Sequence, residues 1–159
     1  MIVRPSPAVV VSAYWAARER GDETAARELL AEDLEWTVVG RHAAVVGTYR
    51  GPDQFFNQLV AGNAAVFQPG TAQSRILGIF EDAQQNTVVT HTRKTARTRT
   101  GLHFDNEIVT IMTIAHGRIR ICREFMDLAE VNRTFGANPP LDPTATGSPA
   151  APVPERKTT

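Results

Sequence analysis

The sequence predicts an α+β fold in which three N-terminal helices pack on a curved antiparallel sheet to form a cone-shaped barrel, and three observations lead there. Apolar residues recur at helical spacing up to about Phe67, the period falls to two between Ser74 and Met126, and a Pro/Ala/Thr-rich stretch follows. Helices grouped ahead of strands exclude a doubly wound sheet, in which the two alternate; the layer rule puts the helices on one sheet face. With 159 residues, 42% of them hydrophobic, the chain supports one core. We place a single domain over residues 1–136 and a flexible tail over 137–159, which is too poor in large apolar residues to repay the entropy of ordering.

Ser6-Pro7 offers an N-cap followed by proline at the first helical position, and Val9, Val10, Ala13, Tyr14 and Ala17 continue the helix to Gly21. Asp22 caps a second helix with Ala25, Ala26, Leu29 and Leu30 on one face. Leu34 to Val39 reads as a strand and Gly40 to Tyr49 as a loop. A third helix starts at Gly51-Pro52-Asp53, carries Phe55, Phe56, Leu59 and Val60 inward, and stops at Pro69-Gly70. Four strands follow as a meander, Ser74–Glu81, Thr87–Thr100, Leu102–Ala115 and Arg118–Met126. Asp127 and Glu130 have the spacing of a capping box for a short helix from Leu128 to about Phe135.

Seventeen basic and 17 acidic residues cancel, so no global field attracts nucleic acid or an acidic membrane, and a small neutral ligand fits better. No apolar run has the length of a membrane span. A lone cysteine, Cys122, and an opening stretch without signal-peptide character lead us to expect a reducing, cytoplasmic setting. The histidines, His42, His91, His103 and His116, lack zinc-site spacing, glycine-rich phosphate loops are absent, and we expect neither metal nor cofactor.

The last strand carries the main chemical candidate. Alternation puts Ile119, Ile121 and Phe125 on one face and Arg120, Cys122, Glu124 and Met126 on the other. Between Cys122 and Met126, the Glu124 carboxyl is drawn out of water, which raises its pKa toward the range useful for proton transfer. An arginine-paired structural glutamate is the alternative. His91 and Arg93 share a face with Thr95, and Asn106, Ile108, Thr110 and Met112 share one on the next strand; faces meeting Glu124 would gather a proton shuttle and a cation for a developing enolate. The other reading of Arg93, Lys94, Arg97 and Arg99 is a solvated basic rim. Tyr14, Trp15 and Trp36 are candidate pocket aromatics, and Cys122 is expected to fill core.

Three segments in order, Ala31-Glu-Asp-Leu-Glu-Trp36, Gly47-Thr-Tyr-Arg-Gly-Pro-Asp53 and His116-Gly-Arg-Ile-Arg-Ile-Cys-Arg-Glu-Phe-Met-Asp127, resemble the SnoaL-like branch of the nuclear transport factor 2-like superfamily across about residues 8 to 135. That fold hosts polyketide cyclases, ketosteroid isomerases, epoxide hydrolases, dehydratases and binders without activity. Trp36-Thr37, Asp105-Asn106 and Arg123–Met126 look like stretches of the phenazine-biosynthesis A/B proteins, which implies an acid–base role for Glu124. Glu124 also falls where limonene-epoxide hydrolases place an aspartate. That family's arginine and other aspartate fall on His91 and Arg93, however, and its tyrosine and asparagine on Trp36 and Val38. Val38 and Thr110 stand where ketosteroid isomerases carry aspartates, so neither mechanism transfers.

The resemblance implies a cofactor-free cyclase, isomerase or dehydratase acting on a small hydrophobic carbonyl-bearing metabolite. Glu124, Arg93 and His91 are its expected catalytic residues, and Tyr14, Trp36, Asn106, Ile108, Thr110, Met112 and Cys122 its expected substrate contacts. The alternative is a non-catalytic binding protein with the same pocket. A third reading is a structural or assembly role through the outer sheet face, where Ile119, Ile121 and Phe125 would pack against a second copy, and a homodimer is compatible with all three.

Overall fold

A computed structural model describes residues 5–136; the expected tail at 137–159 lies outside the described residues. Helix α1 spans Pro7–Glu19 and α2 Glu23–Glu28, with the Asp22 side chain accepting from the Ala25 N–H as expected of its N-cap. Strand β1 is Leu30–Val38 and β2 Gly47–Arg50. The third helical segment has three parts: α3 (Gly51–Gln54), a wider π-helical stretch (Phe55–Val60) and α4 (Ala61–Val66). Strands β3 (Gln73–Asp82), β4 (Thr87–Arg97), β5 (His103–Ala115) and β6 (Arg118–Met126) form the expected meander, and α5 (Leu128–Phe135) follows.

One six-stranded sheet in the order β2-β1-β6-β5-β4-β3 results, curved but unclosed, so the cone is open rather than a complete barrel. Nor is it wholly antiparallel, since β1 runs parallel to β6. Strand β2 occupies part of the stretch read as a loop. It is four residues long with only Tyr49 buried, too short to show a period, and exists by pairing with β1.

Helix α1 lies across the sheet and buries Val10, Val11, Tyr14 and Ala17 against it, each large apolar side chain contributing roughly 1.5–3 kcal/mol. At the other end Phe67, Phe104 and Phe135 meet with ring centroids 5.1–5.6 Å apart and hold α4, β5 and α5 together. Asp127 caps α5 by accepting from the Ala129 and Glu130 N–H groups. Glu130 does not return the bond of a capping box; its carboxylate accepts from the Asp105 N–H and from Arg133. Gly40 has φ +145°, a backbone that L side chains rarely adopt, at the point where it packs against Leu128 at the start of α5.

Register irregularities change two faces. On β6, Thr113 pairs with Ile121 but Ile114 with Ile119, which makes Arg120 an extra residue and turns Ile119 inward beside Cys122. The expected outer trio therefore loses Ile119. The apolar residues left exposed there are Ile121 and Phe125, with Val109 paired opposite Phe125. On β3 the shift between Ile76 and Gly78 makes Leu77 the extra residue.

Candidate functional site

A pocket of about 560 Å³ opens between α1, the π-helical stretch and the inner faces of β1, β3, β4, β5 and β6. Glu124 lines it, half-buried, and the Trp36 indole N–H donates to its Oε2 at 2.6 Å. The two side chains meet because parallel pairing sets Trp36 opposite Cys122 and Val38 opposite Glu124, leaving both on the inner face two residues apart. Burial raises the Glu124 carboxyl above its ordinary value; the Trp36 bond and the positive charges of Lys94 and Arg18 pull the other way without cancelling it.

Tyr14 and Ile108 line the same pocket, as expected. The Tyr14 phenol makes no hydrogen bond among the described residues, and burial pushes its pKa up, so it stays a neutral donor. The Tyr14, Trp36 and Phe55 rings adjoin in sequence, with centroids 6.0 and 4.4 Å apart. The π-helical turn, a feature that clusters at functional sites, presents Phe55, Leu59 and Val60 to the cavity.

His91 and Arg93 do not face Glu124. The inner face of β4 is Val88, Thr90, Thr92, Lys94 and Ala96, and the odd-numbered residues point outward. His91 pairs there with Glu107 at 2.8 Å, and Arg93 donates to Asp105 at 2.8 Å and holds that carboxyl below its usual range. The physical reason is phase: Val88 and Ala96 share the even face and bury it, which turns His91 and Arg93 to solvent.

Asn106 is buried as structural glue instead of a substrate contact, donating to the Asp127 carbonyl at 2.9 Å and accepting from the Asp127 N–H at 3.0 Å. Thr110 is fully buried and bonds the Thr90 hydroxyl, while Met112 and Cys122 are sealed in the core outside the pocket lining. Burial raises the Cys122 thiol well above its ordinary value, leaving it unreactive.

The charged pocket residues that the sequence reading did not assign to the site are Arg18, Glu19 and Lys94. Arg18 follows Tyr14 by one helical turn, a spacing that pointed to the pocket once Tyr14 did. Lys94 was legible only through the Val88–Ala96 phase. Burial and the like charge of Arg18 lower Lys94 to about 8, opposed by Glu124. Among the described residues no three His, Cys, Asp or Glu side chains are grouped to hold a metal, and no helix is long and apolar enough to cross a membrane.

Helices packed on one face of an open curved sheet, around a pocket with an inward carboxyl, define a nuclear transport factor 2-like protein. The SnoaL-like domain family matches residues 11–121, and the chain belongs to that family. Similar solved structures include an NTF2-like protein of Burkholderia thailandensis, 21% identical over 82% of this chain and 98% of that one, with a TM-score of 0.74. Bal32a, from a soil-derived mobile gene cassette, is 25% identical over 81% and 95% of the two chains at a TM-score of 0.72. An LEH-like epoxide hydrolase of M. tuberculosis is 17% identical over 82% and 90%, at 0.62. No curated protein matches the sequence.

Proposed function

We propose that the protein is an acid–base enzyme, a cyclase, isomerase or dehydratase, acting on a small hydrophobic carbonyl compound. The observation that carries this reading is the Glu124 carboxyl, raised by burial and oriented by the Trp36 N–H inside a pocket walled on one side by the Tyr14, Trp36 and Phe55 rings. Glu124 removes the proton next to the carbonyl. The Tyr14 hydroxyl and the cations Lys94 and Arg18 stabilise the enolate oxygen, the part expected of His91 and Arg93 before the strand faces were known. Epoxide hydrolysis is not part of the proposal, because the two positions aligned with that family's charged residues face solvent in outer-face ion pairs.

The test is deuterium exchange at the α-carbon of a panel of hydrophobic ketones, followed by NMR. Glu124→Gln is expected to slow enzyme-dependent exchange by about 100-fold or more while ligand binding holds, the size of effect general acid–base groups supply. Unchanged exchange overturns the assignment. Binding without any exchange by the unaltered protein selects the second reading, a binding protein. The absence of a histidine from the pocket lining among the described residues favours that reading, while Glu19 on α1 supplies a second carboxylate there. A second copy of the chain covering Val109, Ile121 and Phe125 belongs to the proposal too, and Phe125→Glu should then yield monomers in sedimentation.

A further inference from the structure

The pocket holds an amine of which proton transfer by Glu124 uses only the charge. Only two of the chain's 17 basic residues are lysines, Lys94 and Lys157. Arginine would supply a fixed charge at position 94 equally well, whereas lysine alone brings a nitrogen able to become a nucleophile. Lys94 projects from the middle of β4 into the pocket that Glu124 lines from β6 and Arg18 from α1. Its side chain forms no hydrogen bond or ion pair among the described residues; its Nζ stands over the Phe67 ring, 5.2 Å from the centroid, in a cation–π contact. Glu124 is not its contact counter-ion: the two form no ion pair, and Glu124 Oε2 accepts from Trp36.

We propose that Lys94 condenses with the carbonyl group of a pocket ligand, an aldehyde or ketone, to form a covalent imine; that the ligand carries a carbonyl rests on the function proposed above. The neutral amine attacks the carbonyl carbon, a C–N bond forms, and the carbonyl electron pair moves to oxygen, which takes up a proton. Glu124 protonates that hydroxyl, water leaves, and the nitrogen lone pair completes the C=N bond. One amine and one carbonyl give one imine and one water, with no change of oxidation state. The protonated imine then acidifies the neighbouring C–H for removal by Glu124, and returning water releases the product.

Desolvation favours the neutral amine the first step needs, against the pull of Glu124 and the Phe67 ring face toward the ammonium. Burial and the Arg18 charge act in that direction, and together they outweigh Glu124, placing Lys94 at about 8. A desolvated lysine beside a second cation is a recognised form of activated nucleophile.

Trapping with benzaldehyde and cyanoborohydride on the full chain, read by peptide mass mapping, tests this directly. Benzaldehyde has no α-hydrogen, so trapping reports the amine alone, whatever the fate of the exchange assay. Lys157 is the internal control. Lys94 is expected to be reductively alkylated about ten-fold or more faster than Lys157 at neutral pH, its amine being driven toward the neutral form by desolvation and Arg18. Its rate should level off as pH passes about 8. Lys94→Arg should lose the pocket adduct and keep slow labelling at Lys157. Labelling of Lys94 no faster than Lys157, or none, overturns the proposal and leaves Glu124 acid–base chemistry standing; rapid trapping without α-exchange by Glu124 leaves the imine standing alone.

Discussion

The Trp36 indole donates to the Glu124 carboxylate at 2.6 Å, which ties β1 to β6 inside the pocket by a bond between side chains 88 positions apart. A hydrogen bond to the charged form stabilises that form, so this contact restrains the rise that burial imposes. Trp36→Phe keeps the ring and removes the donor. The Glu124 pKa should then rise further, read by carbon-detected titration of the carboxyl, and the acid limb of any pH–rate profile should move up with it. A pKa that stays put or falls would show that the indole does not hold the carboxylate.

Glu124 also sets a pH dependence of stability. Its carboxyl binds a proton more tightly folded than unfolded, so its stabilising contribution is present below the ordinary carboxylate value and is lost as pH climbs through the raised folded value. Glu124→Gln removes the buried charge and can still accept from Trp36. Thermal melts should find the variant more stable than the parent at neutral pH, with the gap closing in acid.

Lys94 works with the opposite sign. Lowered from 10.5 to about 8, it contributes stability above its unfolded value that is lost as pH falls through the folded one. Lys94→Met should stabilise the protein at pH 7 by up to about 3 kcal/mol, diminishing as pH rises toward 10. Denaturant melts across that range decide it; destabilisation at neutral pH would mean that the ammonium is well paired.

Outward placement of His91 and Arg93 gives a prediction of no effect. Exposed ion pairs contribute little, so His91→Ala and Arg93→Ala should leave α-exchange and the melting temperature essentially unchanged. Loss of exchange in either variant would restore the inward phase that the sequence suggested for β4.

Asn106 is expected to matter for folding. Asn106→Leu leaves the Asp127 N–H and carbonyl without their partner at the start of α5 and should cost about 2–4 kcal/mol in denaturant melts. The Glu124 titration should be unaffected; a shifted pKa there would tie Asn106 to the site after all.

Local pattern in the sequence determined the element types, since the change from helical spacing to period two is a property of neighbours along the chain. It gave the Asp22 and Asp127 caps, the four-strand meander and, through the SnoaL-like resemblance, Glu124 as the carboxyl to watch. Tertiary structure alone decided what stands opposite Glu124. Trp36 arrives through a parallel pairing of β1 with β6 that no local signal encodes. The extra residue Arg120 turned Ile119 inward, and burial of Val88 and Ala96 took Lys94 in and sent His91 and Arg93 out. Alternation along a strand fixes which residues share a face but not which face meets the core; that choice is made by the packing of the whole sheet against the helices.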